Sequence, residues 1–224
     1  RYIKRFLRFH GVKEVDGILG DFGVSSHQFD VAERGFSTRF EAELDMRMNQ
    51  NGEISAFNVV NEYDEQELKN VFAEYGELTN ARAIARAIVE AREVEPIKNS
   101  EQLKTVLARF LPGHKSNKIL AQIYQAIRIE VNQEIDVLKE FLTQALEILK
   151  PEGRLSVISY HSLEDRLVKR FVKNGMFEGE PEKDFFGRFE VPFKTIGKLI
   201  VPTAEEIEIN NRARSAKLRI AEKK

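Results

Sequence analysis

Apolar positions along the chain follow two rhythms, a helical one and a short dense one that reads as strand. "RYIKRFLRF" (1–9) sets Tyr2, Ile3, Phe6 and Leu7 at helical spacing, and Gly11 closes the run. "VDGILGDF" (15–22) follows as a short buried strand. Helix, tight turn and strand make half of a parallel α/β unit, which needs neighbouring strands from elsewhere.

The rhythm becomes helical after about Asp45. Asp64 with Glu67 forms a capping box ahead of Leu68, Val71, Phe72 and Tyr75, and Gly76 stops that helix. A second helix runs from Asn80 to Arg92 with Ile84 and Ile88 one turn apart, and a third opens at Ser100 and carries Leu103, Val106, Leu107 and Phe110. Residues 46–117 are therefore expected to be an all-helical insert between two parts of an α/β domain, 1–45 and 118–224. In the second part a long helix carries Ile123 through Leu149, "PEG" stops it, and "RLSVISY" (154–160) is a second buried strand. Ser162 and Asp165 are expected to cap the next helix, a charged loop covers 175–188, and 188–201 and 216–223 close the sheet as antiparallel strands.

Composition narrows the function classes. With 42% apolar residues in 224, the chain can bury a substantial core. Thirty-five basic against thirty-six acidic residues give no global charge to attract a polyanion, so any nucleic-acid surface has to be local. Local clusters exist in residues 1–13, at Arg82 and Arg86, and in "NNRARSAKLR" near the end; each taken singly reads first as a solvated face. Cysteine is absent, which removes disulfides and thiolate metal sites. Four histidines are scattered and form no ligand pattern, so no metal is expected. No apolar run approaches a membrane span.

Candidate chemistry sits at the ends of the two buried strands, where open parallel sheets hold ligands. They end in "GDFGVSS" and "SYHSLED". Asp21 can accept hydrogen bonds there, Gly23 allows close approach, Gln28 offers both donor and acceptor, and His161 offers a ring nitrogen. Plainer readings stand beside these: Asp21 as a turn cap, Ser25 and Ser26 as turn residues outside any nucleophile elbow, and His161 as a helix-start neighbour.

The motifs "DFGVSSHQFDVAERGFSTRF…LDMRMN", "VISYHSLEDRLVKRFV" and "NNRARSAKLR", in that order, closely resemble the RsmH (MraW) family over essentially the whole chain. These are S-adenosylmethionine-dependent methyltransferases of the bacterial cytoplasm. They modify a cytosine N4 amine in the decoding region of 16S ribosomal RNA in the small subunit. The resemblance implies an α/β fold, a Rossmann-like class I methyltransferase sheet with an inserted all-helical domain that contacts RNA. It implies cofactor contacts at Asp21 and Gln28. Asp21 and His161 become candidates for catalysis, Ser25, Ser26 and Ser162 for holding the base, and Arg34, Arg47, Arg212 and Arg214 for holding RNA.

Two departures from the pattern matter. Many amine methyltransferases follow the strand-end acid or amide with Pro-Pro-aromatic, whereas here Asp21 is followed by Phe22, Gly23 and Val24. No Gly-x-Gly occurs either, and the chain begins at Arg1. By the resemblance it therefore starts partway through the fold, after the first strands and the glycine-rich cofactor loop. An exposed strand edge would then favour a homo-oligomer. The competing expectation is an inactive remnant that binds RNA or the ribosome without cofactor.

Overall fold

A computed structural model describes residues 1–182, 185–186 and 190–224. In chain order the elements are α1 (Ile3–Phe9), β1 (Val15–Asp21), α2 (Ser26–Asp30), α3 (Ala56–Glu62), α4 (Glu65–Glu74), α5 (Ala81–Arg92), α6 (Ser100–Leu107), α7 (Ser116–Asn132), α8 (Glu134–Ile148), β2 (Leu149–Ser159), α9 (Ser162–Asn174), β3 (Phe193–Ile200), α10 (Ala204–Ile209) and β4 (Lys217–Lys223). They form two compact units, one of Arg1–Gly23 with Ile135–Lys224 and one of Val24–Glu134.

The first unit is built on a four-stranded mixed sheet of order β1-β2-β4-β3. β1 runs parallel to β2, with Ile18 opposite Leu155, Gly20 opposite Val157 and Asp21 opposite Ile158. β4 is antiparallel to both β2 and β3, so the closing pair is antiparallel as expected. Ile18, Leu155 and Ala221 form one buried cross-strand row, and Leu138 and Leu142 of α8 with Val168, Phe171 and Val172 of α9 complete that core. Each fully buried leucine of this kind contributes about 1.5–3 kcal/mol.

Several expectations change here. β1 is only half-buried: Ile18 and Gly20 face the core, while Leu19 is 67% exposed, because one strand neighbours β1 and one face is covered. On α1, Ile3 and Leu7 pack inward but Tyr2 and Phe6 are exposed. "PEG" does not separate helix from strand. β2 starts at Leu149 and runs through Pro151-Glu152-Gly153 as an irregularity, with Glu152 at φ 63° and a register jump opposite Val15–Gly17. The expected loop over 175–188 and the start of the strand over 188–201 fall partly outside the described residues.

The second unit is helical, and its core gathers Val59 and Val60 of α3, Leu68 and Phe72 of α4, Ile84 and Ile88 of α5, Leu103 and Leu107 of α6, and Ile123 and Ile127 of α7. It is larger than the 46–117 segment expected from sequence. Phe36, Leu44 and Met46 are buried in the same core, as are Leu120, Tyr124 and Ala126 of α7, so the flanking segments join it by packing. The single long helix expected to carry Ile123 through Leu149 is two helices, and Leu149 already belongs to β2. Gln133 takes a left-handed conformation (φ 51°), and the Asn132 amide donates to Met46 O and Arg128 O while its oxygen accepts from Met48 N–H. Side-chain bonding to a neighbouring loop holds the break.

Gly35 sits where this loop folds back. Its φ is 70°, and a Cβ there would lie 2.5 Å from Glu43 O. Gly35→Ala is expected to destabilise the protein by more than about 2 kcal/mol, read as a lower urea midpoint with an unchanged slope.

Candidate functional site

In the first unit the carboxyl ends of the parallel strands bring Asp21, Tyr160, His161 and Ser162 to one end of the sheet. Asp21 is exposed as the last residue of β1, and the next amide, Phe22 N–H, donates to Ile158 O, which ties the strand end to β2. Tyr160 lies just beyond β2, half-exposed. Its phenol is raised above its ordinary value by burial first and then by the nearby Asp21 carboxylate. Gly23, at φ 86°, sits beside it: a Cβ there would lie 3.4 Å from Tyr160 Cδ2.

The turn from β2 into α9 is held by two consecutive buried acids. Glu164 Oε2 accepts from Tyr160 N–H (2.9 Å) and His161 N–H (3.4 Å). His161 is the N-cap of α9: its Nδ1 accepts from Glu164 N–H (3.4 Å), and its Nε2 lies 3.2 Å from Glu164 Oε1. The cap expected at Ser162 and Asp165 is therefore corrected to His161 and Glu164. The physical reason is that Asp165 turns toward the sheet, where it accepts from Arg219 Nε (2.7 Å) and Arg219 Nη2 (3.1 Å) and pairs with Lys217 (3.4 Å). Ser162 is the first residue of α9 and is half-buried. Arg212 and Arg214 are exposed on a short 3-10 turn, either side of buried Ala213.

In the second unit Ser25 caps α2, accepting from Gln28 N–H (3.3 Å), while Gln28 Oε1 accepts from Ser25 N–H (2.8 Å). The two form a reciprocal capping box, and Ser26 is the exposed first residue of the helix. Arg34 and Arg47 come together through the fold. Arg34 Nη2 donates to Arg47 O (2.7 Å) and Met48 O (3.3 Å), and its guanidinium lies 5.7 Å from the Phe36 ring centroid. Arg47 pairs with Asp45 and donates from Nη1 to Gly52 O (2.9 Å). Arg47 also lines an open cavity of about 390 Å³ with Glu33, Glu43, Asp45 and Lys98.

Part of each basic cluster is paired with acids: Arg1 with Glu140, Lys4 with Glu147, Arg82 with Glu65, Arg86 with Glu90, and Lys217 and Arg219 with Asp165. Sequence reasoning missed Tyr160, Glu164 and Asp165 as parts of the strand-end cluster. An aromatic directly before His161 and two successive acids behind it were the available signal.

A parallel strand pair with polar carboxyl ends defines an α/β protein, a class in which ligands commonly bind beyond the strand ends. The chain belongs to the MraW methylase family, whose model matches residues 1–224. It is 78% identical over 224 residues to the ribosomal RNA small subunit methyltransferase H of Flavobacterium psychrophilum, covering all of this chain and 77% of that relative. It is 75% identical to the protein of that name from Flavobacterium johnsoniae and 52% identical to that from Bacteroides thetaiotaomicron, covering 74% of each. No helix among the described residues is long and apolar enough to cross a membrane.

Burial alone would raise the Asp165 carboxyl, but Arg219 and Lys217 outweigh it and hold it below the ordinary carboxylate range. The folded value being the lower one, the stability that this cluster contributes is present above the unfolded value and lost as pH falls through the folded one. The wild type should lose stability below about pH 4. Asp165→Asn should flatten that acid limb, and Asp165→Ala should cost about 3 kcal/mol at neutral pH by leaving Arg219 without its carboxylate; chemical denaturation across pH measures both.

Proposed function

We propose that this protein methylates ribosomal RNA of the small subunit, transferring a methyl group from S-adenosylmethionine to the N4 amine of a cytosine in the decoding region of 16S RNA. Family membership and the names of relatives at up to 78% identity support the coarse reading. The single observation that carries the site is Asp21, an exposed carboxylate at the end of a parallel strand, beside a glycine with positive φ. On this reading the sheet is that of a Rossmann-like methyltransferase working in the cytoplasm, and the helical unit helps hold RNA.

The residues present suit one end of the cofactor. Asp21 and Gln28 match family positions that contact it, and an exposed carboxylate complements the ammonium of its methionine part. When bound, S-adenosylmethionine supplies an electrophilic methyl group. The chain's own part is to prepare the nucleophile. The cytosine N4 lone pair is delocalised into the ring, and a carboxylate accepting one amine N–H draws electron density back to nitrogen while fixing its direction. On this reading Asp21 accepts that hydrogen bond, and the small residues Gly23, Ser25 and Ser26 follow it in sequence. The His161 ring faces the Glu164 cap, which favours a role in shaping the strand end over one in proton transfer. Arg212 and Arg214, exposed on their turn, suit phosphate contacts.

In the full-length protein, Asp21→Ala is expected to lower methyl transfer to small subunits lacking the modification by at least about a hundredfold. Labelled methyl incorporation followed by nucleoside mass spectrometry measures this and identifies the modified atom. Product other than N4-methylcytosine, or an Asp21→Ala variant as active as wild type, would sink the assignment. Binding without any transfer by the full-length protein would favour the remnant binder.

A further inference from the structure

A base presented by its exocyclic amine must leave its stack, and it then needs a flat face to lie on. The run after the strand-end acid offers no ring for this. Phe22 is engaged elsewhere: its ring stands edge-on to Phe141, with centroids 5.2 Å apart and planes at 84°. Gly20 lacks a side chain where those two rings close in, its missing Cβ lying 3.0 Å from Phe141 and 3.2 Å from Phe22. Val24 offers no ring.

One strand over, Tyr160 meets the requirement. It follows β2 at the same end of the sheet, since Asp21 is opposite Ile158, and it is half-exposed. Its backbone is fixed by Tyr160 N–H donating to Glu164 Oε2 (2.9 Å), a carboxylate that is itself 3% exposed. Its hydroxyl end is near Asp21. Gly23 lies against the ring: a Cβ there would sit in ordinary van der Waals contact, 3.4 Å from Cδ2. We propose that the Tyr160 ring is the stacking face for the target base. The proposal rests on the cytosine methyltransferase reading above. It supplies from the second strand the aromatic that the Asp21-Phe22-Gly23-Val24 run does not offer.

The test compares Tyr160→Phe, which keeps the ring, with Tyr160→Leu, which keeps bulk without a face, in the full-length protein. S-adenosylmethionine binding by calorimetry serves as the control for an intact sheet end. Tyr160→Phe should stay within about threefold of wild type, while Tyr160→Leu should lose roughly ten- to a hundredfold in kcat/KM for the RNA with cofactor affinity unchanged. A second readout uses RNA carrying the fluorescent analogue pyrrolocytosine at the target position. Its emission should be quenched by wild type and Tyr160→Phe but not by Tyr160→Leu. Equal rates for Phe and Leu variants would overturn the proposal. So would a Phe variant as impaired as Leu, which would assign the role to the hydroxyl, or loss of cofactor binding in the Leu variant. A wild type that moves no methyl to cytosine would overturn the function itself, and the quenching comparison would still decide whether the ring stacks the base.

Discussion

The parallel pairing of β1 with β2 is the constraint on which the first unit depends. With Asp21 opposite Ile158, the two strands finish together, and both polar motifs arrive at one edge. A slip of β1 by one residue would turn Ile18 out of the core and Asp21 toward the opposite face, so register is set by burial as much as by hydrogen bonds. The antiparallel β4 then braces β2 from its other side, with Ala221 opposite Leu155 and Arg219 opposite Val157.

That register also explains the use of two adjacent buried acids. At a strand-to-helix turn, backbone amides beyond the last ladder bond lack partners, and α9 adds its own unpaired first-turn amides. Glu164 answers the amides of Tyr160 and His161, while Asp165 answers the cations of β4. The two carboxylates face different elements because they are consecutive on a helix, about a hundred degrees apart. Neither could replace the other, and the order Glu-Asp sets which side each serves.

Much of this was legible from spacing. The two strands that end at Asp21 and Ser159, the Asp64–Glu67 box and the inward faces of α4 and α5 follow from periodicity and capping chemistry, though β2 stops one residue short of the expected Tyr160. What escaped depended on contacts distant in sequence. Nothing local announces that Asn132 binds Met46 and Met48 and so breaks a helix at Gln133. Arg34 is a candidate for holding RNA by the resemblance, and nothing local announces that its guanidinium lies on the carbonyls of Arg47 and Met48. His161 was singled out for its chemistry, yet its ring nitrogens lie against Glu164, three residues on. At the candidate site the acid was readable from its strand-end position, but the aromatic beside it was not, because that nearness exists only once β1 and β2 are paired.

The separation of β1 from β2 in the chain has a consequence for how the molecule assembles. All of Val24–Glu134 intervenes between these neighbouring strands, and that unit closes a core of its own. Local helical packing forms fast, whereas a parallel pair across so long a stretch must wait for its ends to meet. During synthesis β1 leaves the ribosome long before β2 exists. Compaction of the helical segment shortens the effective loop that the sheet has to close, so the helices act as an internal folding template for a strand pair they do not belong to.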